Sequence, residues 1–152
     1  MKLTLEAVAG AGLHWPANRV SGPGAYTPPA ELLTLLTYCY ATGLHSSIDI
    51  ELGAEQDAMI RYLCGRAVPK LPGIRNFRRE YRARIKECLM TVLKRGWEMR
   101  FRDEAAVSES DSHHAGRSLE RWEYRGRTPD FAADAERRIL AAARADSMTE
   151  DE

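Results

Sequence analysis

Six residues between positions 75 and 86 have the types and spacing to grip nucleic acid: Arg75, Asn76, Arg78, Arg79, Arg82 and Lys86. On a helix turning about 100° per residue, Arg75, Arg79, Arg82 and Lys86 fall within a sector of about 60°, beside an apolar stripe. Such a row of cations repels itself, with only Glu80 and Glu87 near enough to relieve it. It becomes favourable against a row of phosphates, whose counterions it releases. Arginine also offers a planar fork to guanine edges, and asparagine a bidentate match to adenine. The spacing therefore predicts Arg75, Asn76 and Arg79 as base-reaching residues and Arg78, Arg82 and Lys86 as phosphate-holding ones. Four to six phosphate contacts imply a log affinity against log salt slope of roughly −4 to −5. A charged helical run is equally the sequence of a solvated or protein-binding face, so its context must decide.

Other chemistries find little support. Asp111, His113 and His114 lie in a serine-rich, acidic stretch. Adjacent histidines there read as solvated linker, and neither His14 nor His45 has a partner at ligand spacing, so no metal site is expected. Cys39, Cys64 and Cys88 form no CxxC pair and sit in apolar helical stretches, as buried free thiols of a reducing cytoplasm would. No phosphate-cradling glycine motif is present, and no serine or cysteine has a defensible histidine and acid beside it. The expectation is a cytoplasmic protein with no cofactor and no enzymatic activity. Trp97, Trp122 and Tyr124 read as packing of the C-terminal segment onto the helical core.

The elements that would position the arginine stripe are helices. Residues 1–26 are broken by Gly10, Gly12, Pro16, Gly22, Pro23 and Gly24 and read as an irregular lead-in. Thr27-Pro28-Pro29 reads as a threonine cap with proline at the first helical position. The helix it opens is apolar on most sides (Leu32, Leu33, Leu35, Leu36, Tyr38, Cys39, Tyr40) and ends at Gly43. Ser46 with Asp49 makes a capping-box-like start for a helix stopping at Gly53. A short helix over 55–64 follows, burying Met59, Tyr62 and Leu63. Ile74, Phe77, Tyr81, Ile85, Cys88, Leu89 and Val92 then predict one long helix from about Gly73 to Gly96. Two short capped helices before a long basic third one is the order of a helix-turn-helix unit. Beyond it, 103–127 reads as a polar linker. Thr128-Pro129-Asp130 opens an alanine-rich helix with Phe131, Ala135, Ile139 and Ala142 on its apolar face, followed by an acidic tail to 152. The expected fold is all-α, a compact helical bundle over 27–102 with a C-terminal helix in 128–152.

Charge supports this division. The chain has 152 residues, 22 basic and 22 acidic, a formal charge of zero that would ordinarily argue against a nucleic-acid partner. The neutrality is a cancellation of blocks: residues 66–102 hold twelve basic and three acidic residues, while 27–65, 103–116 and 128–152 each carry a net −4. No apolar run long enough for a membrane span is present, and Lys2 and Glu6 break any signal-peptide pattern.

The stretch from Tyr26 to about Leu93 resembles the N-terminal DNA-binding domain of DDE-type insertion-sequence transposases. The ordered pattern comprises Tyr26 and Pro28, Leu32-Leu33 through Leu36, Tyr38-Cys39-Tyr40, Gly43, Ser46-Ser47, Ile50-Glu51, Asp57, Arg61-Tyr62-Leu63, Pro69 and Ile74-Arg75-Asn76-Phe77-Arg78-Arg79. It covers somewhat under half of the chain. The resemblance implies a helix-turn-helix reading the terminal inverted repeats of a mobile element, with double-stranded DNA as partner and Ser46 and Ser47 added to the DNA-contacting set. Ile48 stands where the family often has arginine, and Lys70-Leu71 replaces the usual Asp-His. The family's three metal-holding carboxylates need rigid strands. Asp103, Glu104, Glu109 and Asp111 lie on the expected linker, so this chain alone is not expected to transfer strands. That leaves a DNA-binding regulator, or the end-binding subunit of a split transposase whose catalytic half is a separate chain. Residues 128–146 or the Leu32–Tyr40 helix would offer a pairing surface for that partner or for a homodimer.

Overall fold

Breaks between short helices organise the computed structural model, which describes residues 1–11, 27–65, 67–104 and 128–148, the side chains of 101–104 excepted. The lead-in beyond Ala11, most of the expected linker with His113 and His114, Trp122, Tyr124 and the acidic tail lie outside the described residues. All described regular structure is helical, with no strand, in the order α1 (Lys2–Gly10), α2 (Pro29–Ala41), α3 (Ser47–Gln56), α4 (Ala58–Leu63), α5 (Leu71–Glu80), α6 (Arg82–Glu104) and α7 (Phe131–Met148). The expected all-α bundle is what forms.

Helix α2 is its axis. Its residues from Leu32 to Ala41 are all buried, and it packs against α1, α4, α5, α6 and α7. Pro28 stands at the cap position and Pro29 at the first helical position, one residue later than a Thr27 cap implies; the missing N–H of a proline would be unpaired there anyway. Thr27 does not cap the helix; its hydroxyl donates to the Ala67 carbonyl at 3.0 Å, tying the start of α2 to the connection before α5. Gly43, with φ of 85°, turns the chain out of α2.

Several boundaries differ from the sequence reading, each for a packing reason. Residues 2–10 form α1 rather than an irregular lead-in, since Thr4 and Ala7 bury against α2 and α6 and Gly10 falls only at the last helical position. Gly53 does not stop α3. A Cβ there would come 2.7 Å from Ile60 Cδ1, so this glycine allows α4 to approach closely while α3 runs on to Gln56. Asp57 then caps α4, accepting from the Met59 and Ile60 amides at 2.8 and 3.2 Å. Tyr62, expected in the core, is 68% exposed on α4.

The largest correction concerns the long basic helix, which is two helices. Tyr81 adopts φ −109° and ψ 24°, ending α5 before α6 begins at Arg82. The apolar period continues through the break, but the surfaces it serves change. Ile74 and Phe77 are buried on α5, which packs on α2 and α3, whereas Ile85, Cys88, Leu89, Val92 and Leu93 are buried on α6, which packs on α1, α2 and α7. Phe77 and Tyr81 stack across the turn with ring centroids 4.6 Å apart. Helix α6 then passes Gly96, which is buried, and continues into the expected linker.

Helix α7 is part of the bundle. Asp130 caps it by accepting from the Ala133 amide at 3.0 Å, and Ala135, Ile139 and Ala142 are buried against α6, α2 and α3. Trp97 and Phe131 meet edge to face, centroids 6.1 Å apart, so this tryptophan packs between α6 and α7. The buried apolar faces of α2 and α7 are thus filled within one molecule. No helix among the described residues is long and apolar enough to cross a membrane.

Candidate nucleic-acid interface

Helices α4 and α5, joined by the connection 64–70, form the centre of the candidate interface. Gly65 takes a φ of 61°, a left-handed turn that favours glycine. The start of α5 is fixed by Glu51 of α3, which accepts from the Leu71 amide at 2.9 Å and from Lys70 Nζ at 2.8 Å. These two donors hold the Glu51 carboxyl below the usual carboxylate range. Glu51 is one of the residues that carry the transposase resemblance, and here it acts as a helix cap.

Inward, α5 buries Ile74, Phe77 and Arg78; outward it exposes Pro72, Gly73, Asn76, Arg79 and Glu80. Asn76 and Arg79, both expected to reach bases, therefore project from one open face. Neither has a hydrogen-bond or ion-pair partner among the described residues. A side chain at Gly73 would meet nothing within 4 Å, so the backbone of the first turn is open to close approach.

The other expected contacts are diverted by α7. Arg78, expected on a phosphate, is buried, with Nη1 2.7 Å from the Asp146 carboxylate and donating to Ser47 Oγ at 3.4 Å and Tyr40 Oη at 3.5 Å. Ser47, expected at DNA, is fully buried: its amide and hydroxyl donate to the two Asp146 oxygens at 2.8 and 2.6 Å. Ser46 caps α3, accepting from the Asp49 amide at 3.5 Å. Arg75, expected at bases, lies 3.5 Å from the Asp146 carboxylate through Nε and donates to the Asp146 carbonyl at 3.1 Å. Arg82 and Lys86 share Glu136 of α7, the lysine at 3.1 Å. Charged side chains are seldom buried without such partners, because an unpaired buried charge is costly.

Burial alone would raise the Asp146 carboxyl, but the Ser47 hydroxyl and amide and the Arg78 guanidinium outweigh it and hold the carboxyl below its ordinary value. Burial pushes the Tyr40 phenol up to about 12, with Arg78 pulling the other way, so Tyr40 keeps its proton. Glu136 is lowered by hydrogen bonds from Arg82 and Lys86. At the C-terminal end of α2, Arg138 of α7 is 1% exposed and donates to the Tyr40 and Ala41 carbonyls at 2.9 and 3.2 Å, while Asp134 accepts from its Nε at 3.1 Å. It satisfies the carbonyl end of α2, where cations are favoured.

Between α5 and α7 lies a cleft of about 320 Å³, lined by Arg75, Arg78, Arg79 and Arg82 on one side and by Ile139, Ala143, Asp146 and Ser147 on the other. Among the described residues no three His, Cys, Asp or Glu side chains are grouped to hold a metal ion. Asp146, Glu136 and Arg138 escaped sequence reasoning, although the acidic −4 block of 128–152 was the available signal that α7 could neutralise the basic block. No protein family, curated protein or solved structure matches this chain.

Proposed function

We propose that this is a DNA-binding protein that reads duplex sequence through the outer face of α5, in the manner of a transposase end-recognition domain without a catalytic half. One observation carries the reading: Asn76 and Arg79 stand unpartnered on the exposed face of the helix that follows α4, with Arg82 and Lys86 beyond them at the start of α6. Burying Ile74, Phe77 and Arg78 holds that helix rigid, which base reading requires. The reading set is smaller than the sequence suggests, because Arg75 and Arg78 already serve Asp146.

Selection of bound duplexes from a random pool tests the proposal. A short motif should be enriched by the native protein and lost with Asn76→Ala/Arg79→Ala, since each bidentate base contact is worth about 1–3 kcal/mol. Both side chains are exposed and unpartnered, so the thermal melt should not move. Equal enrichment by the double variant would refute the assignment of α5.

A second reading, an end-binding subunit serving a separate catalytic chain, is favoured by Tyr62, 68% exposed on α4, and Leu52, 48% exposed on α3. Loss of copurification with such a chain in Tyr62→Lys, with DNA selection unchanged, would support it.

A further inference from the structure

Around the junction of α5, α6 and α7 the charges do not balance. Among the described residues, Arg75 and Arg78 pair with Asp146 and Arg82 and Lys86 with Glu136, while Arg79 forms no ion pair. Asp146 is satisfied by Ser47, Arg78 and Arg75, and Glu136 by Arg82 and Lys86, so neither has capacity directed at Arg79. Glu80 lies on the exposed face of α5 and does not line the cleft. The positive charge thus borders a half-open cleft, with guanidinium groups on one wall and Ile139, Ala143, Asp146 and Ser147 on the other. Its volume of about 320 Å³ is at the lower end of the roughly 300–1,000 Å³ usual for ligand sites. The apolar part of the α7 wall, Ile139 and Ala143, reduces solvent screening of the clustered cations and so raises the attraction of the cleft for anions. The carbonyl end of α7 would oppose an anion, but Arg75 covers it by donating to the Asp146 carbonyl at 3.1 Å.

We propose that the α5–α7 cleft is a phosphate-binding site, with Arg79 and Arg82 as its direct ligands and Arg75 and Arg78 held behind them by Asp146. Arginine suits this role because its planar fork pairs two phosphate oxygens at once. The buried Asp146 keeps two guanidiniums fixed at the floor of the cleft, so the site is formed before the ligand arrives. The same chemistry would accept a phosphodiester of duplex DNA lying along α5 or the phosphoryl group of a small free molecule. The site shares Arg79 with the proposed reading face of α5, so a free phosphate and a base would compete for that side chain. It does not depend on DNA reading by Asn76.

Titration of pyrophosphate into the full chain, followed by backbone amide shifts at 75–82 and 143–147, tests the site. Saturable shifts are expected. They should weaken at least about tenfold in Arg79→Gln/Arg82→Gln, since hydrogen bonds to charged groups are lost. Arg84→Gln should bind as the native protein does, because Arg84 pairs with Glu87 at 3.0 Å and does not line the cleft. Ala143→Glu, which places a carboxylate in the α7 wall and leaves every arginine in place, should likewise abolish binding with the melt retained. Absence of saturable shifts, or equal affinity in the native and double-glutamine proteins, would overturn the proposal. Displacement of pyrophosphate by a selected duplex would assign the site to backbone phosphate. Pyrophosphate binding in a protein that selects no duplex would assign it to a free phosphate ligand.

Discussion

At Asp146 a single carboxylate answers the Ser47 amide and hydroxyl and the guanidiniums of Arg75 and Arg78, with its own side chain only 5% exposed. Removing its charge leaves Arg78 buried beside neutral groups, so Asp146→Asn should cost about 3 kcal/mol in urea unfolding, the lower end for a broken buried pair. The pH dependence follows from the same contacts. Because the folded pKa lies below the unfolded value, the carboxyl contributes its full stability above the unfolded carboxylate range, about pH 4. That contribution is lost as pH falls through the depressed folded value. The native urea midpoint should therefore drop in acid more steeply than that of Asp146→Asn; parallel curves would deny the linkage. The thiols behave oppositely. Burial raises Cys64 and Cys88 each to about 11, and Cys39 is fully buried, so thiolate is scarce at ordinary pH. Thiol reagents at about pH 8 should leave the native chain unlabelled and modify all three cysteines once it unfolds.

Helix α7 behaves as a structural partner of α2, since Arg138 supplies donors to the last carbonyls of α2 and Asp134 holds that arginine in place. Arg138→Met keeps the volume and loses the donors, and should destabilise by about 2 kcal/mol, because the Tyr40 carbonyl keeps only the 3.5 Å contact from the Gly43 amide and the Ala41 carbonyl loses its Arg138 donor. Ending the chain after residue 127 removes Arg138, Glu136 and Asp146 together. The shortened chain should lose cooperative melting by circular dichroism rather than merely the helicity of 131–148. Much at this scale was legible locally. The proline start of α2, the Ser46 cap of α3 and the apolar face of α7 depend on neighbours within a few residues. The break at Tyr81 was not legible, because a continuous period says which side is apolar but not that α5 and α6 face different partners. The site divides in the same way. Exposure of Asn76 and Arg79 follows from the helical period, whereas the burial of Arg78 and Ser47 depends on Asp146, which lies 99 positions beyond Ser47.

The zero net charge of the whole chain is realised in space as well as in sequence, because the acids of α7 lie on the cations of α5 and α6. This changes what salt should do to DNA binding. Arg75 and Arg78 are committed to Asp146, leaving Arg79 and the Arg82–Lys86 pair, the latter already half neutralised by Glu136. Counting about two effective cations, the log affinity against log salt slope should be roughly −2, well short of the −4 to −5 that the full arginine stripe implies. Glu136→Gln releases Arg82 and Lys86 without touching the buried network, so it should tighten binding and steepen the slope to about −3. Fluorescence anisotropy of a selected duplex across a salt series measures both. A native slope near −5 would require Arg75 and Arg78 to reach phosphates too, which they can do only by leaving Asp146. In that event α7 must swing away from α5 on binding, and its amides at 143–147 should exchange faster in the complex than in the free protein.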